Sequence, residues 1–183
     1  MKGKSKIFLL SLCLGLLTLS CTKNLTKSPN PGVFRLILTN NPGRFTLGED
    51  DSLMLQISQV RVYRANGDYA RIYERLDSYR DEIRTVNGFE QDKPDTIGET
   101  YLPPEQFTEV SLTVNLAADD LTLNGRRFPV SMPDSINPVV RLEHSFHIEE
   151  NKTTEVELEL QADSSLIQES FYYIFKPAIR VVK

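Results

Sequence analysis

The chain has 183 residues, 40% hydrophobic and 25% charged, which is the composition of one globular domain with short additions. Nine Gly and ten Pro are too few for a collagen-like or low-complexity chain, and a formal net charge of −4 offers no basic field for nucleic acid. Two Cys and two His leave little material for a metal cluster or a disulfide scaffold.

Lys2, Lys4 and Lys6 make a positive start, and an apolar run follows from Ile7 to Leu19, interrupted by Ser11, Cys13, Gly15 and Thr18. As a helix this run spans about 20 Å, short of a hydrocarbon core of about 30 Å. Length and basic flank together predict a secretory signal over residues 1–20 rather than a membrane span. The run ends in Leu17-Thr18-Leu19-Ser20-Cys21. A small residue directly before Cys at this place resembles the cleavage box of bacterial lipoproteins. Leu12 is too bulky for the same box before Cys13.

The resemblance implies cleavage before Cys21 and acylation of its sulfur and its new amino terminus. Several acyl chains hold a protein on a bilayer stably where one holds it marginally. Loss of Lys2, Lys4 and Lys6 leaves 18 basic against 25 acidic side chains, a net charge of −7. Such a domain hangs from its lipid and does not lie on an anionic surface by charge. Residues 22–31 (TKNLTKSPNP) read as a polar tether reaching about 30 Å when extended. Beyond Cys21 the chain holds no further cysteine, so thiol catalysis, Cys-ligated zinc and structural disulfides drop out.

From Gly32 onward, alternation of period two dominates. Phe34, Leu36 and Leu38 share one face of a first strand. Leu53, Leu55 and Ile57 share a face of a second. Val60 and Val62 continue it out of phase, which predicts a bulge near Ser58-Gln59. Asn66-Gly67 signals a hairpin whose returning strand is Tyr69 to Tyr73. Asp77 to Arg84 has the composition of one or two helical turns, and Glu90 to Asp95 reads as a polar loop. Val110, Leu112, Val114 and Leu116 alternate with polar residues, as do Val156, Leu158 and Leu160 with Glu155, Glu157 and Glu159. Each gives a strand with one wet face. Asn124-Gly125 marks a hairpin between Leu121–Leu123 and Phe128–Val130, and Val139 to Ile148 is a further strand. Ser164 to Glu169 offers a second helical turn. Tyr172 to Val182, apolar on both faces, reads as a covered central strand with a bulge or an edge-facing position at Pro177. Short strands punctuated by turns, without βαβ alternation, predict an all-β fold: an antiparallel Ig-like or Greek-key β-sandwich of about seven to nine strands over residues 32–183.

The ordered strands also resemble the domain-of-unknown-function family 4382, found in exported proteins that are often lipoproteins. Gly32 to Thr39 with Pro42 resembles its opening strand, and Leu53 to Val62 its second. Leu102-Pro103-Pro104 through Leu112 is similar to its LPxGxYTxxRL segment, and Phe128 to Pro133 to its YPLxVP stretch. Lys152 to Leu158 with Ala162-Asp163 resembles TTxLxLxFDAxxS, and Phe175 to Val181 the closing LKPVIRV. The resemblance implies a β-sandwich in an exported location and carries no established activity.

Candidate chemistry is sparse. His144 and His147 stand three apart on a strand and point to opposite faces, so they do not form a ligand pair without a bulge. Glu49-Asp50-Asp51 and Asp119-Asp120 lack the spacing of a calcium loop and read as solvated turns. Glu155, Glu157 and Glu159 read as one wet face that also discourages edge pairing. No Gly-x-Ser-x-Gly elbow surrounds Ser58, Ser111 or Ser131, and no phosphate loop or dinucleotide fingerprint is present. Tyr63, Tyr69, Tyr73, Tyr79 and Tyr101 cluster in the first half, and Tyr63, Tyr69, Tyr73 and Tyr101 are the candidate binding aromatics. The plainer reading makes Tyr63 and Tyr73 core or cross-strand partners.

The sequence therefore predicts a non-catalytic module without metal or cofactor, lipid-anchored through Cys21 in the bacterial cell envelope. It would face the periplasm or the cell surface, with the outer membrane favoured, and meet an unidentified protein or glycan. The alternatives are a glycan- or small-ligand-binding accessory lipoprotein and, less favoured, a hydrolase.

Overall fold

A computed structural model describes residues 28–74, 84–91 and 93–183. The signal segment, Cys21, most of the tether, Tyr79 and the helical turns expected from Asp77 lie outside the described residues. Arg84, the end of that expected helix, instead opens a strand.

The protein is an all-β sandwich. A four-stranded sheet has the order β13-β10-β1-β5, built from Ile179–Val181, Thr153–Gln161, Gly32–Asn41 and Asp95–Leu102. A six-stranded sheet is centred on β2 (Ser52–Tyr63) and β6 (Gln106–Leu123). On the β2 side it carries β3 (Tyr69–Glu74) and β4 (Arg84–Asn87), and on the β6 side β7 (Arg126–Phe128) and β9 (Val139–His147). A small third sheet joins β11 (Leu166–Gln168), β12 (Tyr173–Phe175) and β8 (Val130–Ser131). The count passes the expected seven to nine because several strands are only two to four residues long.

The alternation read from the sequence sets which face is buried. Phe34, Leu36 and Leu38 of β1 and Val156, Leu158 and Leu160 of β10 are all buried. They meet Leu53, Leu55, Ile57, Val60 and Val62 of β2 and Val110, Leu112 and Val114 of β6 in one core. The β2–β6 register shifts between Ile57 and Gln59, where the change of phase predicts a bulge. Phe146 of β9 ties the layers together, stacked at 5.1 Å on Phe34 of the opposite sheet and at 5.4 Å on Phe107 of its neighbour β6. At Gly98 on β5 an added methyl would sit 2.7 Å from Ile72 Cγ2, so the sheets approach there only because the residue has no side chain.

Both hairpin signals hold. Asn124 and Gly125 take φ of 51° and 68°, as a two-residue I′ turn requires, and join β6 to β7. Asn66-Gly67 joins β2 to β3, with Asn66 Oδ1 accepting from the Asp68 N–H at 3.0 Å.

Three features differ from expectation. First, β1 pairs with β10 in parallel, from Val33↔Thr153 to Asn41↔Gln161. No local signal marks a partner so distant along the chain. Second, the helical turn expected at Ser164–Glu169 lies at α1 (Ala162–Ser165), and Leu166–Gln168 is strand. Third, Tyr172–Val182 is not one central strand. It divides into β12 and β13, which belong to different sheets, and β13 is an edge strand. Buried Ser165 makes the break: its Oγ donates to Gln161 O at 2.7 Å and accepts from Ala178 N at 3.0 Å. Its carbonyl accepts from Lys176 N at 2.8 Å. Pro177, which has no N–H to place, sits between these two donors.

Candidate functional site

The outer face of the six-stranded sheet gathers the largest set of the residues singled out above. Register sets Tyr63 opposite Tyr69 and Glu109, and Glu109 opposite Glu143. The Tyr63 and Tyr69 rings lie 5.5 Å apart. Neither ring is bare: Arg141 lies 4.9 Å over Tyr63 and Arg61 lies 4.4 Å over Tyr69. Carboxylates in turn hold the arginines. Arg61 Nη2 is 3.1 Å from Glu74 Oε1, which also accepts from Gln59 Nε2 at 2.8 Å, and Arg141 Nη1 is 3.3 Å from Glu109 Oε1. Burial draws the Arg61 guanidinium downward, but Tyr63, Tyr69 and Glu74 outweigh it, and its pKa stands above the usual value. The result is a cross-strand lattice in which cation–π contacts and ion pairs occupy the tyrosines.

The other two tyrosines do not join them. Tyr73 packs against the core with Arg84 at 4.8 Å over its ring, and Tyr101 stands on β5 in the opposite sheet, 72% exposed.

Beside this lattice is a shallow polar groove of about 410 Å³, lined by Thr108, Glu109, Glu143, His144 and Ser145. A register shift between β6 and β9 places it: Phe107 faces Phe146, while Glu109 faces Glu143, so β9 carries one extra residue. Burial still alternates across this bulge, so His144 shares the half-buried face with Leu142 and Phe146 while His147 points to the exposed one, as their spacing predicts. His144 leans on Phe146 at 6.1 Å, and His147 is exposed. Among the described residues no group of three or more His, Cys, Asp or Glu side chains is arranged to hold a metal ion.

A second groove, of about 470 Å³, lies by the outer face of the four-stranded sheet and includes Thr39, Asn41, Gln91, Glu157 and Glu159. Asn40, also on its wall, is buried and clamps the β4–β5 connection, donating to Asn87 O at 3.2 Å and Glu90 O at 3.4 Å. Its Oδ1 is sealed from solvent without a partner and so does not reach the groove. The acidic stripe of β10 is partly neutralised: Arg35 bridges Glu155 (2.7 Å) and Glu99 (2.6 Å), and Arg180 meets Glu159 at 2.7 Å.

The acidic turn at Glu49–Asp51 has a structural use. Asp51 is 7% exposed; its Oδ2 accepts from Gly48 N at 2.9 Å and its Oδ1 from Gly125 N at 3.3 Å. The amides of Gly48, Asn124 and Gly125 hold its carboxyl below the usual range. The backbone of Asp119-Asp120 lies in β6, and their side chains fall outside the description. Ser111 is buried in β6, and Ser58 accepts from Asn115 Nδ2 at 3.0 Å.

One exposed feature escaped the sequence reading. The hairpin of β11 and β12 turns at residues 169–172, closed by Glu169 N–H donating to Tyr172 O at 2.9 Å. Its tip shows Phe171, 87% exposed, and Tyr172, with Ile167 exposed on the adjoining strand.

No family model, curated protein or solved structure matches this chain.

Proposed function

We propose that the chain is an extracytoplasmic lipoprotein whose β-sandwich works as a binding or structural module, tethered through an acylated Cys21. The observation that supports it most is the spacing between anchor and domain. The first strand begins at Gly32, with ten residues between it and Cys21, and the chain is tied down at once: Asn30 N–H donates to Glu150 Oε1 at 2.8 Å and Val33 N–H to Lys152 O at 2.8 Å. A cleaved lipoprotein needs that layout, a lipid, a short spacer and a self-sufficient fold.

The surface chemistry favours binding over turnover. Several charged groups hold strands and turns together: Asp51 on backbone amides, Arg35 and Arg180 on the β10 stripe, Arg61 and Arg141 on tyrosines, while Glu109, Glu143 and His144 line the polar groove. A glycan platform of tyrosines would share Tyr63 and Tyr69 with the arginines stacked on them, and Tyr69 keeps 42% of its surface exposed.

Growth of the producing cells with an alkyne fatty acid tests the anchor. The wild-type chain takes the label and Cys21→Ser does not; equal labelling of both refutes the reading.

A further inference from the structure

We propose that the β11–β12 hairpin tip is a second membrane contact, in which Phe171 and Tyr172 enter the headgroup layer of the bilayer that holds the Cys21 lipid. The inference rests on the lipoprotein reading. Phe171 and Tyr172 are exposed large apolar side chains at adjacent positions, held on a closed turn. An apolar ring beside a phenol suits the boundary where one end is greasy and the other wet.

Cations flank the tip although the whole chain is acidic. β8 runs parallel to β12, with Val130 opposite Tyr173, and Tyr173 N–H donates to Pro129 O at 2.9 Å. The chain preceding Val130 therefore heads toward the tip. Phe128 lies edge-on to Tyr173 at 5.5 Å, and Arg126 lies 5.9 Å from the Phe128 ring. Exposed Arg126 and Arg127 thus lie on the chain that leads to the base of the hairpin, where guanidinium groups meet lipid phosphates; the carboxylates nearby are Glu169 in the turn and Asp51, held on the Gly125 N–H.

Reach permits both contacts at once. The hairpin follows α1, which succeeds Gln161, the partner of Asn41 at the end of β1 opposite the tether. Ten residues of β1 span about 30 Å, and the eight tether residues ahead of Asn30, which Glu150 holds, extend about 25 Å. The domain can therefore lie with β1 along the membrane and set the tip down beside its own anchor. Tethering raises the local concentration of bilayer around the tip, so two aromatic side chains suffice to bias orientation.

The chain has no Trp, so Phe171→Trp installs a single reporter. The mature lipidated protein is reconstituted in phosphatidylethanolamine/phosphatidylglycerol vesicles, and the acyl mass on Cys21 is checked separately. The expected result is blue-shifted emission, quenched by lipids brominated on the upper acyl chain and reduced by Arg126→Ser/Arg127→Ser. Solvent-like emission from vesicle-bound, acylated protein overturns the tip contact and leaves the anchor standing. A blue shift in detergent that grows with protein concentration overturns it in favour of a second copy or another protein surface. Absence of acyl mass refutes the anchor, and the tip proposal with it.

Discussion

Phe146 is the residue whose loss should report most directly on how the two layers are joined. It is nearly buried on β9 and stacks on Phe34 of the facing sheet and Phe107 of its own. Truncation to Ala removes the ring from both contacts and leaves a void that the paired β6 and β9 backbones cannot easily close. Buried Phe→Ala changes cost about 3–5 kcal/mol. A domain of this size loses about 2–4 °C of melting temperature per kcal/mol, so the expected drop is about 6–20 °C. Phe146→Leu keeps most of the volume but loses the stacking, and should cost about 1.5 kcal/mol or less. Thermal unfolding followed by far-UV circular dichroism measures both. A Phe146→Ala protein melting within about 3 °C of wild type, below the smallest shift this reasoning allows, would refute Phe146 as the inter-sheet tie.

Two further substitutions test the polar framework. Ser165→Ala removes a buried hydroxyl that donates to Gln161 O and accepts from Ala178 N, leaving that N–H without its partner. The expected loss is about 1–3 kcal/mol by urea titration, and an unchanged midpoint would show that the β12–β13 break does not depend on the side chain. Asp51 has its pKa lowered by the amides of Gly48, Asn124 and Gly125. Its contribution to stability is therefore present above the unfolded carboxyl value of about 3.9 and is lost as pH falls through the lower folded value. Melting temperatures taken from pH 6 down to pH 2 should fall less steeply for Asp51→Asn than for wild type, and parallel curves would remove Asp51 as an acid-sensitive clamp.

Much of the fold was legible because a two-residue period is a local property. Leu36 and Leu158 announce their faces through their immediate neighbours, and Asn124-Gly125 announces its turn through the left-handed φ it tolerates. Even the bulge near Ser58 shows as a change of phase. The β9 bulge does not, because Val140, Leu142, Phe146 and Ile148 keep one phase across it and burial alternates without a break. The end of the chain misleads for the converse reason. Tyr172 to Val182 is apolar on both faces, a pattern shared by a doubly covered strand and by two short strands in separate sheets. Ser165, which divides them, is a lone small residue in the sequence and reveals itself only through its hydrogen bonds. The Tyr63–Tyr69 pairing and the Arg61 guanidinium over Tyr69 follow from the β2–β3 hairpin, whereas Arg141 reaches Tyr63 from β9 through its register with β6.

The parallel β1–β10 pair raises a question that a hairpin does not: what sets its register when no turn fixes it? Side chains on both faces answer together. Inward, Leu36 meets Val156 and Leu38 meets Leu158, so a slip by one residue would drive Glu157 or Glu159 into the core. Burying an unpaired carboxylate costs several kcal/mol, more than an exposed ion pair returns. Outward, Arg35 lies opposite Glu155 and bridges it to Glu99 on β5, while Arg180 on β13 takes Glu159. Thr39 Oγ1 adds a bond to Leu158 O at 3.0 Å. Each exposed pair contributes little to stability, about 0–1 kcal/mol. They do not fix the register alone, since a two-residue slip sets Arg35 opposite Glu157, and the Arg180–Glu159 pair ties β10 to β13. The acidic stripe that reads in the sequence as a wet face thus links β10 to β1 and β13 on the outside, while the apolar residues of the same strand forbid one-residue slips on the inside.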